Sequence, residues 1–204
     1  MKKLSSSISS AFHIPVLRNE CIQYLNVMER GLYVDCTLGG GGHTLEILSK
    51  GGFVVGIDQD SNSFQNIKNN KLFEQYLNQN KLELIQTNFR NLNHVIEQSK
   101  IRNLLGKQKV DGILFDLGVS SHQIDDPTRG FTYQVDSSPL DMRMFQDRSS
   151  NHQTQSVQAI DLINKLSVEE LANVFYNYGE ERRSRQIATE IVSCRPHLNA
   201  GSVR

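Results

Sequence analysis

Residues Gly39 to Gly42 form an unbroken run of four glycines, followed by His43 and Thr44, and an aspartate, Asp58, stands 19 positions beyond Gly39. A glycine run between a strand and a helix offers backbone N–H groups and the positive end of a helix dipole to a bound group. Glycine suits such a place because a β-carbon would hold the ligand off the backbone. The chemistry implied is recognition of a nucleotide-like molecule, and spacing separates its versions. An ATP or GTP loop needs a lysine directly after its last glycine, and none follows. A dinucleotide loop, G-x-G-x-x-G, would put its last glycine on Thr44 or Leu45. The same mismatch disfavours a nicotinamide-dependent oxidoreductase.

A nucleoside-like ligand without phosphate, such as S-adenosylmethionine, needs only close backbone approach and a carboxylate for the ribose hydroxyls. Asp58, at the end of a predicted strand, is placed for that contact; the alternative is a solvated strand-end acid. His43 either meets the ligand's amino-acid end or caps the turn. Asn88-Phe89 ends a third strand, where an adenine could stack, or Phe89 could simply be core. Asp116 ends a fourth, where a carboxylate can accept hydrogen bonds from ligand or nucleophile.

The elements that must position these residues alternate strand and helix from Gly31 onward, the pattern of a parallel sheet built from βαβ units. Strands are predicted at 32–36, 53–57, 82–87 and 110–115, the last almost wholly apolar and hence central. Helices are predicted at 44–50 and 61–79, the latter capped by Ser61 with Phe64, Ile67 and Leu72 inward, and again around Leu92, Val95 and Ile96. Residues 117–155, rich in Ser, Asp, Pro and Gly, are too long for a simple connection. Ser167 to Glu170 matches a capping box; Leu171, Val174, Phe175 and Tyr178 follow at helical spacing, and Gly179 marks the stop. A last helix runs over 182–192.

Composition narrows the class. The 204 residues carry 22 basic and 22 acidic side chains, spread evenly over both halves, so any nucleic acid must be held by a local patch. The longest apolar runs fall far below the roughly 18 residues of a membrane span. The three cysteines form no C-x-x-C pair, which argues against a disulfide framework or structural zinc and predicts no metal. Residues 1–12, with Lys2, Lys3 and five serines, read either as a short mitochondrial presequence or as a disordered terminus.

Six motifs then occur in order: HIPVL at 13–17, VDCTLGGGGHT at 34–44, DGILFDLGVSSHQID at 111–125, RGFTY at 129–133, PLDMRM at 139–144 and YGEE at 178–181. Together, over about residues 13–196, the chain resembles the ribosomal RNA small subunit methyltransferase H family, also called MraW, and its mitochondrial methyltransferase-like relatives. The resemblance implies a class I S-adenosylmethionine-dependent methyltransferase, a Rossmann-like α/β fold with a helical insertion, acting on the exocyclic N4 of a cytidine in the decoding region of small-subunit ribosomal RNA. It implies Gly41, Gly42, His43, Asp58, Phe89, Asp116 and Gln123 as cofactor residues. It also implies a core at 13–150 with a substrate loop at 117–150, and a partial helical insertion at 151–204. His122 and Ser138 stand where the family usually has Pro and Gly. Family members continue well beyond Arg195-Pro196, so a C-terminally truncated chain is expected, and with it the alternative of a cofactor-binding but catalytically impaired homologue.

Cytosine's amine is a poor nucleophile, and the [DNS]-P-P-[YF] motif of DNA amino methyltransferases is replaced here by Asp116-Leu117-Gly118-Val119. Asp116 or a neighbouring carbonyl is therefore the expected proton acceptor, with Asp141 the weaker candidate. Arg129, Phe131, Tyr133 and Arg143 are the expected RNA contacts, helped by Arg148, Arg182, Arg183 and Arg185. The expected partner is ribosomal RNA in the small subunit, with a homodimer possible and no membrane. The expected compartment is the mitochondrial matrix in a eukaryote or the cytoplasm in a bacterium.

Overall fold

A computed structural model describes residues 15–144 and 157–203. The N-terminal targeting expectation, His13 and Ile14 of the first motif, and Arg148 lie outside these residues. The chain forms two compact units, residues 1–118 and 119–204.

In the first unit, α1 (Arg18–Leu25), β1 (Leu32–Asp35), α2 (Gly42–Ser49), β2 (Phe53–Asp58), α3 (Ser61–Asn69), α4 (Lys71–Asn78), β3 (Leu82–Gln86), α5 (Leu92–Gln98), α6 (Lys100–Leu105) and β4 (Gly112–Leu114) follow in order. The strands make one parallel sheet of order β3-β2-β1-β4. Alternation along the strands splits the core between two faces. Tyr33, Val54 and Leu82 pack with Ile22, Ile47, Phe64, Ile67 and Phe73 from α1 to α4. Leu32, Val34, Val55 and Ile57 pack with Val95 and Ile101 from α5 and α6. Both faces of β1 and β2 are thus covered, which explains their continuous apolar runs. At the opposite end from the glycines, Asp111 accepts from the Leu32 N–H at 2.7 Å and pairs with Lys107.

Three local expectations give way. The helix predicted over 61–79 is two helices, broken at Asn70, whose side chain accepts from the Leu72 N–H and caps α4. The break turns the apolar face by one position, so Phe73 is fully buried and Leu72 is exposed. Asp60, not Ser61, caps α3, accepting from the Asn62 N–H. Finally, β4 is an edge strand among the described residues, with Ile113 and Phe115 partly exposed, because it pairs with β1 alone.

The second unit contains α7 (Ser121–Asp125), α8 (Ala159–Lys165), α9 (Val168–Gly179) and α10 (Ser184–Ser193). Its small core joins Leu171 and Ala172 to Ala188 and Ile191. The capping box at Ser167 and Glu170 is present. Helix α9 ends through Glu180 in the left-handed region, φ 51°, instead of through a glycine, and Tyr178 is exposed. The boundary at Gly118 falls well before residue 150 because residues 136–141 are knitted into this unit. Ala159 and Ile160 N–H groups donate to the carbonyls of Asp141 and Leu140, and Ala200 and Gly201 to those of Ser138 and Asp136.

Gly130 holds that knot together. Its φ is +80°, and a β-carbon there would lie 2.2 Å from the Pro139 carbonyl oxygen and 2.7 Å from the Asp141 nitrogen. Gly130→Ala is expected to destabilise the second unit by about 2–4 kcal/mol, since backbone on both sides must move. Gly106→Ala, with positive φ but open space around it, should cost only about 1 kcal/mol. Hydrogen exchange of α8 and α9 amides distinguishes them; equal protection in both variants would contradict the crowding.

Candidate functional site

In a parallel sheet of this order, the connections leave β1 toward β2 on one side and reach β4 on the other. The carboxyl ends of β1 and β4 therefore border the crevice where open α/β sheets take ligands. Gly39 to His43 follow β1 and Asp116 follows β4, while Asp58 ends β2 and Phe89 follows β3, so all lie along the carboxyl edge of the sheet.

The glycine loop is held mainly through its backbone. Leu38 N–H donates to the Ile57 carbonyl at 3.0 Å, Gly39 N–H to Asp58 Oδ2 at 2.8 Å, and Gly41 N–H to the Leu38 carbonyl at 2.7 Å. Gly39 and Gly41 have positive φ, 47° and 77°. The glycines do different work. A β-carbon on Gly41 would fall 2.3 Å from Ile67 Cδ1, and one on Gly42 2.8 Å from Pro15 Cδ, so their bareness makes room for the protein itself. A β-carbon on Gly40 would meet nothing within 4 Å, and the backbone there is the part open to a ligand.

Asp58 is no idle strand-end acid. It accepts from Gly39 N–H, from Ser63 Oγ at 3.0 Å and from Asp60 N–H at 2.9 Å. Of about four lone-pair sites on a carboxylate, these three bonds leave one, on Oδ1, that could accept from a ligand hydroxyl. His43 is buried, with Nε2 3.2 Å from the Val16 carbonyl and Nδ1 3.8 Å from Asp116 Oδ2. Because a carbonyl can only accept, Nε2 carries a proton in that contact. The Asp116 side chain is half exposed. Phe89 is half-buried beside the second face of the sheet and meets the Phe115 ring edge-on at 5.6 Å. Asn88 accepts from Arg90 N–H and donates to Gln59 Oε1 at 2.9 Å.

Sequence reasoning passed over Asp35 and Thr37. Asp35 is buried at the end of β1, accepting from Thr44 Oγ1 at 2.7 Å and from Thr37 N–H at 3.2 Å. Burial pushes its carboxyl above the usual range, against the opposing pull of both hydrogen bonds. Thr37 Oγ1 accepts from the Asp116 N–H at 2.7 Å. An acid and a threonine inside an otherwise apolar strand end were the available signal.

The remaining candidates belong to the second unit. Gln123 is buried; its Oε1 accepts from Ser120 N–H at 2.9 Å while its own N–H donates to Ser120 Oγ at 3.2 Å. Arg129, expected on RNA, is only 3% exposed and donates to the carbonyls of Met144 at 2.9 Å and Arg143 at 3.4 Å. A guanidinium so enclosed holds its own loop instead of a phosphate. Asp141, the weaker proton-acceptor candidate, is gripped by Arg143 through Nε at 2.6 Å and Nη2 at 2.7 Å, with Gln158 Nε2 at 3.1 Å. That fork commits Arg143 as well and holds its guanidinium above its ordinary range. Phe131 is half-buried, whereas Tyr133 is 76% exposed and free to stack. Ser138 donates its hydroxyl to the Pro127 carbonyl, so serine fits the place without strain. Among the described residues no group of His, Cys, Asp and Glu is arranged to hold a metal ion, and no helix is long and apolar enough to cross a membrane.

A parallel α/β sheet with helices on both faces and a glycine loop at its carboxyl edge, together with a family match over most of its length, makes this chain a class I, Rossmann-like methyltransferase using S-adenosylmethionine. Residues 10–201 match the MraW methylase family, and the chain belongs to that family.

Asp35 gives a pH-dependent test. A carboxyl raised in the folded state contributes stability that is fully present below the unfolded value, near 3.9, and lost as pH rises through the folded value. Asp35→Asn removes that ionisation and is expected to flatten the decline of stability that sets in as pH rises above about 4. Asp35→Ala, which strands Thr44 Oγ1 and Thr37 N–H, should cost about 1–3 kcal/mol. Urea melts across pH check both; a wild-type slope in Asp35→Asn would contradict the assignment. Burial also pushes the Cys36 thiol up to about 12, with Asp35 adding to the effect. At pH 8, maleimide is therefore expected to label exposed Cys194 rapidly and Cys36 only on unfolding.

Proposed function

We propose that this chain methylates the exocyclic N4 of a cytidine in the decoding region of small-subunit ribosomal RNA. The supporting observation is the half-exposed Asp116 carboxylate at the sheet edge, 3.8 Å from His43 and at the end of the strand next to the glycine loop. When bound, S-adenosylmethionine supplies an electrophilic methyl group on a sulfonium. Gly40 offers open backbone to it, Asp58 keeps one acceptor for its ribose, and Phe89 places an aromatic ring just beyond the end of β3. Asp116 is the group that accepts an amine hydrogen, drawing electron density back onto nitrogen. Its exposure suits a substrate arriving from solvent. Tyr133, exposed on the second unit, is a face on which an RNA base can stack. The low overall charge fits an enzyme that relies on a folded ribosomal surface for much of its binding.

The test incubates small subunits lacking the modification with labelled S-adenosylmethionine and locates the label by digestion and mass spectrometry. Label on N4 of a decoding-region cytidine is expected, and Asp116→Asn should lower turnover about a hundredfold. Asp58→Ala should weaken cofactor binding roughly tenfold or more in calorimetry. Label on another base, or none from a protein that binds the cofactor, would sink the proposal.

A further inference from the structure

We propose that Thr37 is a positioning residue for the methyltransferase reaction: its hydroxyl replaces a missing backbone rung between β1 and β4 and thereby sets Asp116 in place. The inference rests on the reading of Asp116 as a cofactor and proton-accepting residue.

The β1–β4 ladder runs Tyr33 to Gly112, Val34 to Ile113 and Asp35 to Leu114, and its last backbone rung is Cys36 N–H to the Leu114 carbonyl at 2.9 Å. Parallel pairing would next offer the Asp116 N–H an acceptor on the β1 backbone. There the chain leaves β4: Leu38 N–H turns to β2, bonding the Ile57 carbonyl at 3.0 Å, and the glycine loop begins. The Asp116 amide, two residues past the end of the strand, would be left without a rung. Thr37 Oγ1 accepts it at 2.7 Å.

Thr37 is itself aimed. Its own N–H donates to Asp35 Oδ1 at 3.2 Å, and the other oxygen of that buried acid takes the Thr44 hydroxyl from α2. A β-branched side chain also has few rotamers to choose from. One short relay thus connects α2, the end of β1 and the end of β4. Through it the Asp116 backbone is fixed relative to Gly39 and Gly40, and its carboxylate is held beside His43. Serine would keep the acceptor, and valine would keep the shape while removing it.

The test is a double-mutant cycle on S-adenosylmethionine affinity by calorimetry, with thermal melts run alongside. Thr37→Val is expected to raise the Kd about five- to tenfold, while Thr37→Ser recovers to within about twofold of the parent. In an Asp116→Ala background, which itself weakens binding, Thr37→Val should add less than about twofold, because the group it positions is gone. An undiminished effect of Thr37→Val in that background overturns the inference and leaves the role of Asp116 standing. If Asp116→Ala alone leaves the Kd unchanged, Asp116 does not hold the cofactor and the positioning inference falls, while the turnover of Asp116→Asn still decides its proton-accepting role. Should Thr37→Val not fold, amide exchange of the wild-type chain decides: Asp116 N–H is expected to be protected, and exchange at the rate of an open loop amide overturns the clasp.

Discussion

The first unit depends on one constraint: β1 must leave a parallel ladder while its neighbours on both sides end beside it. A strand that turns away strands hydrogen-bonding groups on both flanks, and buried groups without partners are costly. The chain resolves this with side chains. Asp58 takes the Gly39 amide on the β2 side, Thr37 takes the Asp116 amide on the β4 side, and Asp35 ties Thr37 to Thr44 from beneath. The result is a rigid, well-bonded edge that leaves the backbone at Gly40 open. Rigidity there matters because methyl transfer is an in-line displacement, and its rate depends on how well the reacting groups are aligned.

The carboxylates at this edge occupy different environments and so do different work. Asp35 is buried and drawn toward its neutral form, a structural acid. Asp58 is divided between the loop and whatever binds beside it. Asp116 keeps its carboxylate half in solvent, which makes it the member able to meet a substrate. The second unit shows the same economy in its own terms. Asp141 and Arg143 satisfy one another, Arg129 is spent on carbonyls, and Gly130 allows two stretches of backbone to touch. Charged residues of motifs that look like a nucleic-acid surface when read as strings are internal joints here, and Tyr133, Met142 and Met144 are among the residues they leave facing water.

Much of the fold was legible in the residues. Strand positions followed from short β-branched runs, the parallel arrangement from their alternation with helices, and the loop from four consecutive glycines. The capping box at Ser167 was readable because it depends on contacts three residues apart. Asn70 was not, since one asparagine in an Asn-rich stretch carries no local mark to tell a cap from a surface residue; the packing of Phe73 against Ile67 decides it. The edge position of β4 escaped for a related reason. An apolar run reports that a strand is buried somewhere, not which neighbours it has.

For the site the division is sharper. Sequence by itself determined the family, the cofactor and the strand ends where the candidate residues gather, because each of these is written in residue type and order over short spans. Only the tertiary structure decided what each residue there does. It turned Gly41 and Gly42 into packing positions, Arg129 and Arg143 into internal ties, and Thr37 into the partner of an amide 79 positions away. Such assignments depend on which groups the folded chain brings within hydrogen-bonding distance, and no spacing along the sequence encodes that.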